Sequence, residues 1–195
     1  PLKALRAAGI SFSTIFNITS ENYHDAGNYV VFAAERGAVE TLMIPVVPAG
    51  RADRKLVPTP KQLLEAVRIA EERCREGGYR TTVMCSPALK SVELSRVFVG
   101  SCRFSRSLDV DPSGNVLLCD TLDLIVTNLR EKSVGEAAEE YLNHPLVIRL
   151  DRGELPKECE SCEFASFCRG GCRARSLLMR GSLDVADPLC PCLLY

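Results

Sequence analysis

Cys159-Glu-Ser-Cys162, five residues to Cys168, and then Arg-Gly-Gly to Cys172 put four thiols into one short segment. Local turns can bring thiolates so close in sequence together, and Gly170 and Gly171 let the backbone pass near whatever the sulfurs hold. The chemistry this suggests is metal ligation. Disulfides fit worst, because they need an oxidising compartment and a CX2C pair closes a small, strained ring. Zinc is a real alternative, since four sulfurs in a closed tetrahedron make a common structural site. Zinc spacings usually pair two short knuckles across a longer gap, whereas the gaps here run two, five and three. Iron–sulfur clusters accept such irregular spacing and often borrow a ligand from a distant segment, which favours them over zinc.

Distant thiols exist. Cys102 is followed by eleven residues, Gly114, four more residues and Cys119, and downstream lies Cys190 in Asp187-Pro-Leu-Cys190-Pro-Cys192. In this order the seven cysteines and Gly114 resemble the SPASM domain, the twin-cluster C-terminal extension of many radical SAM enzymes. The resemblance covers about residues 100 to 192. It implies two auxiliary iron–sulfur clusters of the 4Fe–4S type. One would be held by Cys159, Cys162, Cys168 and Cys190, the other by Cys102, Cys119 and Cys172, so that the last cysteine of the loop crosses to a hairpin. Cys85 and Cys192 are the further candidates for the missing ligand of the second cluster, which could equally be an open position or one filled by a substrate thiol.

The stretch before it is similar, through Phe16-Asn17-Ile18-Thr19 with Asn22 and through Gly50-Arg51, to the C-terminal half of a radical SAM partial barrel. The family's CX3CX2C signature is absent. Cys168 and Cys172 have its first spacing, but Arg175 stands where the third ligand would be. The resemblance therefore implies SAM and a third 4Fe–4S cluster only for a complete enzyme, and no SAM cleavage by this chain alone. Family members modify ribosomal peptides, activate sulfatases or trim tetrapyrrole side chains. The implied partners are a peptide, protein or tetrapyrrole substrate and an electron donor such as ferredoxin or flavodoxin. Two other readings stay open: a stand-alone iron–sulfur electron-transfer or scaffold module, and a zinc-binding interaction domain.

Composition agrees with a metal-rich globular chain. Of 195 residues, 46% are hydrophobic and 25% charged, which excludes disorder, and ten are cysteines. With 24 basic against 25 acidic residues the net charge is −1, so no nucleic acid or anionic membrane is expected as partner. No apolar run reaches membrane-spanning length, and a cytoplasmic location is expected. Pro1 opens inside a helical pattern, which suggests a piece of a longer protein.

The elements that must position the thiols follow from periodicity. Residues 1–8 form a helix tail, 11–19 a strand, and 21–36 a helix capped by Ser20. Residues 39–47 read as a strand buried on both faces, and Pro48–Pro58 as a loop. Thr59-Pro60-Lys61-Gln62 is a capping box with proline at the first helical position, opening a helix that stops at Gly77-Gly78 before a strand over 80–85. Alternating strands and helices with short connections make right-handed βαβ units and a parallel sheet, too small to close as a barrel. The fold class is α/β, with a partial parallel βαβ barrel segment over residues 1–95. A small cysteine-rich α+β domain over 96–195 would follow. Within it, 104–119 reads as a β-hairpin turning at Asp111–Asn115, and Ser133-Val-Gly-Glu136 caps a helix with Val134, Ala138 and Tyr141 inward, ended by Pro145.

Other chemistry-bearing residues read as structural. Cys74 faces the apolar side of its helix. His24 and His144 stand alone, and Glu160 and Glu163 are solvated. Arg173, Arg175 and Arg180 on the following helix could offset cluster charge, but a solvated face is the simpler account. No catalytic residue is assigned, and there is no G-x-S-x-G, P-loop or paired-carboxylate arrangement.

Overall fold

The computed structural model describes residues 1–152 and 154–194. Four strands, β1 (Ser13–Ile18), β2 (Glu40–Pro45), β3 (Thr81–Val83) and β4 (Val97–Val99), form an all-parallel sheet in that order. After a short first helix, α1 (Leu2–Ala7), the crossovers are α2 (Ala26–Glu35) and α3 (Pro60–Gly77). The register aligns Phe16, Met43, Val83 and Val99 in one row. Phe16, Met43 and Val83 are buried with Val30 of α2 and Leu63, Val67 and Cys74 of α3. The adjoining row is Ile15, Leu42, Thr82 and Phe98 on the opposite face, where Ile15 is 54% and Phe98 49% exposed.

The sheet is thus covered on one face only. That corrects the expectation of a strand buried on both faces, since β2 alternates between buried and half-buried positions. The second helix starts later than expected, at Ala26 after a 3₁₀ turn over Tyr23–Asp25. Ser20 does not cap it; its hydroxyl donates to the Lys55 carbonyl at 2.7 Å. The capping box at Thr59 and the left-handed Gly78 that ends α3 are as predicted.

Strand β4 is too short to announce itself, and a carboxylate places it. Glu71 of α3 accepts the backbone N–H groups of Ser95, Arg96 and Val97 at 3.0, 2.8 and 2.9 Å. Burial alone would raise its pKa, but these bonds and that from the Ser95 hydroxyl outweigh it and hold the carboxyl below its usual range. A depressed pKa stabilises the fold fully above the ordinary carboxylate value and is lost as pH falls through the lower, folded one. Glu71→Ala is accordingly expected to cost about 1–2 kcal/mol at neutral pH, with wild type and variant converging in strong acid, as read by urea unfolding at several pH values.

The second half builds an antiparallel sheet from β5 (Asp109–Val110), β6 (Asn115–Cys119) and β7 (Leu122–Asn128). The predicted hairpin is present with a shorter first arm, because Phe104–Arg106 forms a 3₁₀ turn, and β7 adds a strand not anticipated. Gly114 takes φ +83° in the turn, while the Asp111 carboxylate accepts from Ser113 and Asn115. Helix α4 (Val134–Asn143) has its capping box, but its inward residues are Ala137 and Tyr141; Val134 is exposed. Pro145 both ends α4 and begins α5 (Pro145–Arg152), as suits a residue with no N–H to donate. A second core gathers Val116, Leu118, Tyr141, Val147 and Leu150, with Cys172 among them. Among the described residues no helix is long and apolar enough to cross a membrane.

Candidate metal centre

The cysteine loop is a chain of tight turns. A 3₁₀ turn over Lys157–Cys159 leads to Cys162, whose N–H bonds the Cys159 carbonyl at 3.1 Å, and then to the single-turn helix α6 (Ala165–Cys168). Arg169, Gly170 and Gly171 follow at φ +54°, +87° and +85°. This left-handed run brings the backbone against Asp187: a Cβ on Gly171 would lie 2.2 Å from the Asp187 Cβ, so only glycine fits. Cys172 then precedes α7 (Arg173–Arg180), which ends at the left-handed Gly181.

Two groups of thiols result. Cys159, Cys162, Cys168, Cys190 and Cys192 line one small apolar pocket together with Ala88. Cys85, Cys119 and Cys172 pack on the second core, and the thiol of Cys102 lies within electrostatic reach of Cys85, Cys119 and Cys172. Cys168 and Cys172, close in sequence, go to different groups. Of the two extra candidates, Cys85 stands with the hairpin thiols and Cys192 with the knuckle.

Backbone donors point at these sulfurs. The N–H groups of Gly170 and Gly171 serve Cys168, those of Ala174 and Arg175 serve Cys172, and that of Cys192 serves Cys190. The Thr121 N–H lies 3.5 Å from the Cys119 sulfur. Burial nevertheless dominates, pushing Cys85, Cys102, Cys168 and Cys190 up to about 12 and Cys119 to about 11. Cys102 is open at its residue surface while its thiol end is set among protein atoms. Without a cation these thiols are neutral, so ligation must release their protons.

Among the described residues no three Cys, His, Asp or Glu side chains are arranged to hold a single metal ion. An all-sulfur donor set in apolar surroundings suits an iron–sulfur cluster. An orphaned cation adds to the fit. Arg169 feels Arg103 and Asp151 beside Cys102, and its buried Nε and Nη1 have no hydrogen-bond partner.

The arginines correct the sequence reading most sharply. Arg175 is 0% and Asp187 1% exposed, joined through Nε–Oδ1 at 2.8 Å and Nη2–Oδ2 at 2.7 Å. Burial would lower the Arg175 pKa, but the Asp187 carboxylate more than offsets it and the guanidinium is held above its usual value. Nη2 also donates to the Cys85 carbonyl at 2.7 Å, and Asp187 Oδ2 accepts the Cys172 N–H at 2.9 Å. Arg173 is buried too, donating to the carbonyls of Leu183 and Glu154. Only Arg180 is exposed as expected, with Glu158 at 3.9 Å. Helical period alone could not expose this pair, because the partner lies past the helix in the Asp187-Pro-Leu-Cys190 tail. Two arginines directly after Gly-Gly-Cys were the available signal.

The remaining expectations are met in place. Cys74 is fully buried in the first core, Glu160 and Glu163 are exposed, and His24 is exposed beside Asp25. His144 accepts the Leu146 N–H on Nδ1, a turn role.

No family model matches the chain. Among curated proteins it is 26% identical to a PqqA peptide cyclase of Granulibacter bethesdensis over 96% of this chain and 51% of the relative. It is 24% identical to an AdoMet-dependent heme synthase of Methanosarcina barkeri over 97% of this chain and 58% of the relative. The chain thus spans about half the length of these curated relatives. The crystal structure of Streptococcus suis SuiB bound to S-adenosylmethionine shares the fold, with a TM-score of 0.66 at 14% identity over 97% of this chain and 47% of that one.

Proposed function

We propose that this chain, a relative of the radical SAM/SPASM enzymes, supplies the part of such an enzyme that holds two auxiliary iron–sulfur clusters against a partial parallel barrel. The observation that carries this is the sorting of nine cysteines, scattered from residue 85 to residue 192, into two groups, with Cys168 and Cys172 parting to different ones. Residues 1–95 would make the barrel segment and residues 96–195 the cluster domain.

Cys159, Cys162, Cys168 and Cys190 would hold one 4Fe–4S cluster and Cys102, Cys119 and Cys172 the other. When bound, such clusters pass single electrons or bind substrate. The protein's part is mechanical and electrostatic. The left-handed turn at Arg169–Gly171 separates the two ligand sets, backbone N–H groups stabilise thiolate charge, and the apolar wall at Ala88 excludes water from the knuckle. SAM and the cluster that cleaves it would belong to residues outside these 195, since CX3CX2C does not occur in them. The relatives' names point to a peptide or a tetrapyrrole as substrate of the whole enzyme. A ferredoxin or flavodoxin would serve as its electron donor.

Anaerobic reconstitution tests the reading. Brown protein with about eight irons per chain and cluster absorption is the expected result. Colourless protein that purifies anaerobically with stoichiometric zinc would overturn it.

A further inference from the structure

Three thiols lie outside the seven of the cysteine pattern, and they occupy different surroundings. Cys74 is fully buried in the first core, under the parallel sheet. Cys192 lines the knuckle void. Cys85 packs, like Cys119, against the second core that contains Cys172, and its thiol feels those of Cys172, Cys102 and Cys119.

The backbone at Cys85 is specially held. Met84 still donates to Met43, extending the sheet ladder by one bond at 2.9 Å, and the next residue, Cys85, turns away at φ +55°. A non-glycine residue in that region is uncommon and needs surrounding structure to hold it. The hold is Arg175, whose Nη2 grips the Cys85 carbonyl at 2.7 Å while its partner Asp187 fixes the Cys172 N–H. One buried ion pair thereby sets the positions of two cysteines, one from the sheet and one from the cluster loop.

We propose that Cys85 is the fourth protein ligand of the cluster held by Cys102, Cys119 and Cys172, so that the turn directly after β3 carries one metal–sulfur bond. This rests on the two-cluster reading above. Ligation exchanges the Cys85 S–H bond for an S–Fe bond and gives the proton to solvent. Arg175 acts as a positioning residue through the Cys85 carbonyl.

The test uses the full chain, reconstituted anaerobically, as wild type and as Cys85→Ala, Cys85→Ser, Cys102→Ala and Cys74→Ala. Cys85→Ala should disturb the same cluster as Cys102→Ala does, either losing up to about half the iron or, where the cluster survives on three thiolates, giving a reduced-state EPR spectrum that changes on adding imidazole; wild type and Cys74→Ala should do neither. Should Cys85→Ala fail to fold, Cys85→Ser gives the readout, since an oxygen ligand shifts the EPR signal. Variants at Cys85 with wild-type iron, wild-type spectra and no response to imidazole overturn the assignment. If Cys102→Ala meanwhile loses about half the iron, the two-cluster reading survives that failure. If Cys102→Ala also keeps all its iron, both fall.

Discussion

Cys162→Ala is expected to lower bound iron from about eight to about four per chain, and Cys119→Ala to do the same by emptying the other site. The reason is separation. Cys162 lines the knuckle void, whereas Cys119 ends β6 and packs on the second core with Cys172. Each substitution removes one thiolate from one set and leaves the other set's sulfurs and N–H donors in place. The double variant should bind almost none. An iron assay after anaerobic reconstitution, with visible absorption as a second measure, decides the matter. Full iron in both single variants refutes the ligand map, and complete loss in either means the two sets are one unit.

The second large effect is expected at the buried clasp. Arg175→Met leaves the Asp187 carboxylate 1% exposed and without its cation. Breaking one half of such a pair typically costs about 3–5 kcal/mol, because the remaining charge is stranded away from water. The loss should register as a lower denaturation midpoint of the cluster-loaded protein, followed by far-UV circular dichroism without oxygen. Replacing both partners, as in Arg175→Met with Asp187→Leu, should recover part of the stability, since no charge is stranded. It should not recover all of it. Asp187 also accepts the Cys172 and Leu189 N–H groups, and Arg175 donates to the Cys85 carbonyl; apolar side chains replace neither. If the single variant is as stable as wild type, the clasp does not hold the two halves together.

What could be read from the chain alone follows from the range of each interaction. Capping boxes at Thr59 and Ser133 are local, and both stand as predicted. The βαβ order is set by periodicity, so the parallel sheet was legible as well. Strand β4 was not, because three residues make no pattern and their place depends on Glu71 from a different element. Strand β7 was hidden for a related reason: its burial is irregular, with bulges against β6, so no alternation marks it. The cysteine pattern singled out thiols that the fold gathers into two groups, but it could not divide Cys85 from Cys192, since either could reach in an unfolded string. Arg175 was misread because helical spacing shows which residues share a face, and says nothing of a carboxylate twelve positions later.

The lopsided covering of the parallel sheet has a practical consequence. β1 and β4 each have a neighbour on one side only, with Glu71 covering part of the β4 border, and Ile15 and Phe98 sit on the bare face nearby. Such borders recruit other chains in register. Handled by itself at high concentration, this polypeptide should be prone to associate along that border.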